Sequence, residues 1–168
     1  LITTPWLTER HGYDPTWAIE PSEGEITING KTFKSMTPRL SEENGIGVIY
    51  QEFNLVGDLT VAENIFLGRA IRKGWIVDFA AMKKQAQAIL DSLHINIDPS
   101  AMVKNLSVGY QQMVEIAKAM SQNAQVLIMD EPSAPLTNAE VENMFAVVEF
   151  LRSKGGTIIY ISHRMEEI

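Results

Sequence analysis

Apolar and polar positions follow two periods along this chain, and the periods divide it into elements. Glu25-Ile26-Thr27-Ile28 alternates polar and apolar, and Asn29-Gly30 follows. That predicts a strand entering a tight hairpin turn, with a second short strand over about Lys31 to Phe33. Gly47-Val48-Ile49-Tyr50 is a short apolar run ending at Gln51 and predicts a buried strand. Thr60-Val61-Ala62-Glu63 has the spacing of a capping box, in which the hydroxyl takes one orphan amide and the carboxylate another. It predicts a short helix to about Leu67, stopped by Gly68. Asp78 predicts the cap of a helix whose apolar stripe is Met82, Ala86, Ile89, Leu90 and Leu93. Ser107 predicts the cap of the next, with Met113, Ile116, Ala117 and Met120 facing inward.

Gln125 to Met129 is a further apolar strand. Thr137-Asn138-Ala139-Glu140 is a second capping box, and its helix carries Val141, Met144, Phe145, Val148 and Leu151 before Gly155-Gly156. Thr157 to Ile161 predicts the last strand, leading to Ser162-His163. The order strand, helices, strand, helix, strand indicates an α/β domain with a partly parallel sheet. Residues 60–121 read as a helical insert between two core strands. Residues 1–23, with Pro5, Pro15 and Pro21 and no sustained period, read as loop or poorly ordered chain.

Composition narrows the class of function. The 168 residues fit one domain, and the 45% apolar and 21% charged content is that of a globular protein. No apolar run approaches the ~18 residues needed to cross a bilayer, and no basic-then-apolar leader opens the chain. Cysteine is absent, so these residues hold no disulfide framework, thiolate metal site or cysteine nucleophile. The net charge of −7 removes the usual electrostatic footprint for nucleic acid.

Four elements carry candidate chemistry. In Val126-Leu127-Ile128-Met129-Asp130-Glu131, an apolar strand ends in two carboxylates. Ligands of open α/β sheets bind outside such ends. An Asp there can hold a hydrated Mg²⁺, and an adjacent Glu can polarise a water. Leu106-Ser107-Val108-Gly109-Tyr110-Gln111-Gln112 opens a helix and presents a hydroxyl and bare amides. Gln51 ends a strand and offers an amide oxygen to a metal or a water. His163 ends another and can hydrogen-bond a phosphate. Each alone has an ordinary structural reading: an acidic turn, an N-cap, a solvated loop glutamine, a surface histidine.

Together they come in one order: strand–Gln, Leu-Ser-x-Gly at a helix start, apolar run–Asp–Glu, strand–His. In that order and spacing the chain resembles the ATP-binding subunits of ABC transporters, and among these the sugar-import branch of the ribose, galactose and xylose type. The matching stretches include Tyr50 to Leu55, Leu59 to Gly68, Asn105 to Lys118 and Ile128 to Thr137. The resemblance runs from about Ala18 to Ile168. It implies an incomplete P-loop NTPase-like ABC ATPase domain over residues 18–168, with residues 1–17 unassigned.

The resemblance also implies roles. Asp130 acts on Mg²⁺ through water, Glu131 is the general base for the attacking water, and His163 contacts the γ-phosphate of ATP. Gln51 touches Mg²⁺ or water and faces the membrane subunit. Ser107 and Gly109, with Gln112 in the same segment, grip the ATP of an opposing subunit. Ser133 to Thr137 falls at the D-loop, where Pro135 and Thr137 depart from the common form. The implied partners are transmembrane permease subunits and a second ATP-binding half. The implied location is peripheral, on the cytoplasmic face of the plasma membrane, with no span and no nucleic acid.

One family motif is missing from these residues. A phosphate cradle needs G-x-x-x-x-G-K-[ST], turning from a strand into a helix. The one Gly-Lys-Thr, Gly30-Lys31-Thr32, has Glu25 where that glycine belongs and follows a hairpin turn. The cradle is therefore expected where residues 1–17 stand, which match no family segment, and the chain reads as an internal piece of a larger protein, weak or inactive alone. The absent strand is expected to be central, leaving unpaired backbone around Val48 and around Ile128 or Ile159. Two other readings stay open: a non-enzymatic remnant supplying its signature motif in trans, and a non-transporter ABC ATPase acting on DNA.

Overall fold

The computed structural model describes residues 25–163 apart from Asn29 and Met36. The readings of residues 1–23 and 1–17 lie outside the described residues. The chain divides into two units, residues 1–44 and 45–168. In the first, β1 (Ile26–Ile28) and β2 (Lys31–Phe33) pair antiparallel, Ile28 opposite Lys31. Gly30 sits between them at φ +77°, a left-handed turn position that suits a residue without Cβ. Gly30-Lys31-Thr32 is thus turn and strand, with no helix opening from it. A short helix, α1 (Pro38–Glu43), follows, with Thr37 accepting from the Leu40 amide at 3.2 Å.

The second unit is built on three parallel strands, β3 (Ile46–Ile49), β6 (Val126–Asp130) and β7 (Thr157–Ile161), in the order β3-β6-β7. Ile49 lies opposite Met129, and Met129 opposite Tyr160. Ile128 therefore has ladder partners on both sides, whereas Val48 and Ile159 have one each among the described residues. Between β3 and β6 run α2 (Val61–Ile65), a two-residue-stranded hairpin β4 (Arg72–Lys73) and β5 (Ile76–Val77), α3 (Phe79–Ser92) and α4 (Val108–Met120). Then α5 (Asn138–Ser153) joins β6 to β7.

The helix starts follow the sequence. Thr60 and Thr137 each form the full capping box, and Asp78 accepts from the Ala81 amide at 2.9 Å. α2 ends at Ile65, two residues earlier than its pattern predicts, with Phe66 as its C-cap. The β4–β5 hairpin and α1 are not predicted by the pattern, because two- and six-residue elements are too short to display a period. The core gathers Ile49, Val61, Ile65, Leu90, Ile116, Met129 and Met144, all fully buried. Gly47 lets α4 approach β3: a Cβ there would stand 3.1 Å from the Ala119 Cβ and 3.2 Å from the Ala124 Cβ.

Of the stripe predicted for α3, Ile89 is only half-buried, and so is Met120 of α4. The difference in α4 is larger. Gln112 and Glu115 are buried beside Met113 and Ile116, so this helix is enclosed on more than one face.

Among the described residues β6 is the strand paired on both sides, and its Leu127 and Met129 are buried. Burying each such side chain stabilises by about 1.5–3 kcal/mol. Amide exchange should therefore be slowest across Val126–Asp130 and faster in β3 and β7. Met129→Ala should cost about 2–5 kcal/mol in urea unfolding. Equal protection in the three strands would contradict this ordering.

Candidate active site

The parallel register brings the carboxyl ends of β3, β6 and β7 to one edge of the sheet. Asp130 is the last residue of β6 and lies opposite Ile161. The Glu131 amide continues the ladder, donating to the Ile161 carbonyl at 2.9 Å. Glu131 itself is at φ +46°, the left-handed region that non-glycine residues seldom adopt. The strand thus breaks sharply after Asp130. Glu131 Oε1 meets His163 Nε2, just past the end of β7, at 2.9 Å. The Glu131 side chain is 20% exposed and that of His163 83%, so the pair opens to solvent through the histidine. Gln51, exposed and two residues past the end of β3, reaches the same edge.

Burial pushes the Asp130 carboxyl above its ordinary pKa; the Glu131 charge adds to this and His163 opposes it. A half-buried carboxylate made costly by a second one is a position that a cation relieves. Mg²⁺ binds through one or two carboxylates and keeps several waters. Asp130 fits that requirement, although no cluster of three acidic or histidine ligands occurs among the described residues.

The chain beyond Gln51 is fastened to the helical region by side chains that the sequence pattern did not single out. Glu115 Oε1 accepts from the Asn54 amide at 2.7 Å, and Lys118 Nζ donates to the Asn54 carbonyl at 2.8 Å. One peptide position is thus held from both sides by residues three apart on α4. Asn64, wholly buried, accepts from the Val56 amide at 2.7 Å and donates to the Val56 and Thr60 carbonyls, both at 3.0 Å. The available signal was an asparagine, Asn64, beside the capping Glu63 and among the apolar residues of a short helix.

Ser107, Gly109 and Gln112 stand on α4. Ser107 is its N-cap. The Ser107 hydroxyl donates to Glu140 Oε1 at 2.9 Å, and the Gly109 amide donates to the same oxygen at 3.1 Å. These two donors therefore suit an anionic oxygen. Gln112 is 1% exposed, and its Nε2 has no hydrogen-bond partner. The loop Ser133 to Thr137 follows the acidic pair in two tight turns, Ala134 N to Glu131 O at 3.2 Å and Leu136 N to Ser133 O at 3.0 Å.

Burial raises the pKa of Glu115, partly offset by Lys118 and the Asn54 amide. Folding therefore takes up a proton between the unfolded and folded pKa values. Stability from this group is full below the unfolded pKa and is lost as pH rises through the folded one. Glu115→Gln keeps an oxygen for the Asn54 amide and removes the buried charge. It should raise stability near pH 7 and change little near pH 4, as read by urea unfolding at both. A variant that loses stability near pH 7 would show that the Lys118 attraction outweighs burial.

Comparison with known proteins gives the family and the fold. The ABC transporter family profile matches residues 16–134. The ribose import ATP-binding protein RbsA of Chromobacterium violaceum is 49% identical over 86% of this chain and 29% of its own length. The arabinose import ATP-binding protein AraG of Vibrio parahaemolyticus is 48% identical over 89% of this chain and 29% of its own. The chain thus spans less than a third of the length of these curated relatives. Among solved structures, a nucleotide-free ATP-binding cassette from an ABC transporter superposes with a TM-score of 0.75 at 26% identity, over 88% of this chain and 62% of that one. The ADP conformation of the cassette MJ1267 gives 0.73 at 28%, over 87% and 61%. Sequence and fold together place this chain in the ABC transporter family, as part of its ATP-binding cassette.

Proposed function

We propose that these residues form the catalytic edge and the signature segment of an ATP-hydrolysing subunit in a carbohydrate importer. The observation that carries this is the Asp130–Glu131 pair at the end of the middle strand, with His163 bonded to Glu131 from just past the end of the neighbouring strand. The names of the ribose- and arabinose-importing relatives support carbohydrate as the cargo class.

In this reading Asp130 holds Mg²⁺ through water, and the metal, when bound, neutralises charge on the phosphate oxygens. Glu131 takes the proton of the water that attacks the γ-phosphorus as the bond to the β-phosphate oxygen breaks, giving ADP and phosphate. His163 orients the Glu131 carboxylate and reaches the γ-phosphate. Gln51 contributes an amide oxygen at the same edge, and the clamp on Asn54 limits how far it strays. Ser107 and Gly109 serve the ATP of an opposing subunit, with Gln112 supporting their helix from within. Permease subunits and a second ATP-binding half complete the assembly at the cytoplasmic face of the membrane. No helix among the described residues is long and apolar enough to cross a membrane.

The 168 residues contain no G-x-x-x-x-G-K-[ST], and Gly30-Lys31-Thr32 lies in a hairpin. Losing even one donor to the reacting phosphate costs about 10²–10³ in rate. This chain by itself should therefore hydrolyse MgATP at least about a hundredfold more slowly than a complete relative. A second reading is a module that supplies Ser107 and Gly109 to another subunit's nucleotide. Equilibrium binding of MgATP to the chain separates the two, since the second predicts none. A chimera placing the phosphate-binding segment of a ribose-import relative before residue 18 should hydrolyse ATP and lose about 10²–10⁴ of that rate on Glu131→Gln. A folded chimera that stays inactive, or one indifferent to Glu131→Gln, would overturn the assignment.

A further inference from the structure

Glu140 uses one carboxylate to join two helix starts. Its Oε2 accepts from the Thr137 amide at 3.1 Å and the Thr137 hydroxyl at 2.9 Å, which closes the capping box of α5. Its Oε1 accepts from the Ser107 hydroxyl at 2.9 Å and the Gly109 amide at 3.1 Å, on α4. A capping box alone needs only the first pair. The second pair spans 33 residues of sequence and satisfies an amide in the first turn of α4 that the helix itself leaves unpaired.

The glycine at 109 belongs to the same arrangement. A Cβ there would lie 2.6 Å from Glu140 Cγ and 2.7 Å from its Cδ and Oε1. Any side chain at 109 would expel the carboxylate. The four hydrogen bonds also hold the Glu140 pKa down to about 2, the Thr137 amide and hydroxyl first and Ser107 next. The carboxylate therefore stays ionised as an acceptor throughout the neutral range.

We propose that Glu140 is a positioning residue that locks the signature segment, Ser107 to Gly109, to the Ser133–Thr137 loop that follows the catalytic pair. The two segments then move as one body, and while the lock is closed the Ser107 hydroxyl and Gly109 amide are both taken up by Glu140, so a phosphate reaches them only by displacing this carboxylate. The functional weight of this lock rests on the roles given above to those residues. The lock itself is a statement about this chain alone.

The test uses the 168-residue protein without nucleotide, so it fails or succeeds independently of the hydrolysis assays. Amide exchange and amide chemical shifts are read at Gly109 and Tyr110 on α4 and at Thr137 and Glu140 on α5. Glu140→Ala should accelerate exchange at both sites by about three- to tenfold, the effect of losing an exposed hydrogen bond of ordinary net strength. Glu140→Asp keeps the charge and a capping carboxylate but is one methylene too short to reach α4. It should disturb Gly109 and Tyr110 while sparing the α5 start, and Gly109→Ala should do the same from the other side. A purely local cap would confine the Glu140→Ala effect to α5. A general charge effect would be rescued at Gly109 by Glu140→Asp. Either result overturns the lock.

Discussion

The arrangement of the second unit depends on the pairing of β6 along both of its sides. Parallel strands in register end together, so Gln51, Asp130, Glu131 and His163 meet at one edge although they are distant in sequence. Each parallel connection must cross the sheet, and here the crossovers carry α2, α3 and α4 on one connection and α5 on the other. The φ of Glu131 is the local consequence. The ladder runs one bond past Asp130, to the Glu131 amide, and then the chain must leave the sheet at once. Just past that exit Glu131 meets His163, which follows the end of β7.

α4 links this edge to the helical region. Its N-terminus holds Ser107 and Gly109, and its middle holds Glu115 and Lys118 on the backbone beyond Gln51. Its flank presses on β3 where Gly47 leaves room for Ala119. A helix enclosed on several faces has to bury polar groups, and those groups need partners. Glu115 of α4, like Asn64 of α2, finds its partners in the backbone of residues 54–60, which is bridged antiparallel at Thr60 to Met102. The loop is thus held by these side chains and by backbone bonds to Val103 and Lys104.

Glutamates at three positions show how environment assigns different work to one side chain. Glu131 ends a strand and meets an exposed histidine. Glu115 is buried and holds a backbone amide, with its charged form disfavoured. Glu140 is surrounded by donors at two helix starts and is firmly ionised. Its folded pKa is depressed, so the stability it contributes is present above the ordinary carboxylate range and is lost as pH falls toward about 2.

Much of the local structure was legible in the residues. The Thr60 and Thr137 capping boxes and the Asp78 and Ser107 caps depend on contacts within a few residues, so sequence alone determined them. The acidic pair and its family motifs were legible for a similar reason: backbone-coupled chemistry needs fixed residue types at fixed spacing. Short elements were not legible. A two-residue strand has no period, and α1 and the β4–β5 hairpin appear only in the fold. The polar burial of Asn64, Gln112 and Glu115 was hidden too, because a helical pattern records which face is apolar but not how many faces are covered. The approach of Glu140 to Ser107 and Gly109 belongs to the same class. Read along the chain, Glu140 is a capping residue and nothing more. Only the packing of α5 beside α4 brings its second oxygen to a hydroxyl and an amide 31 to 33 residues away.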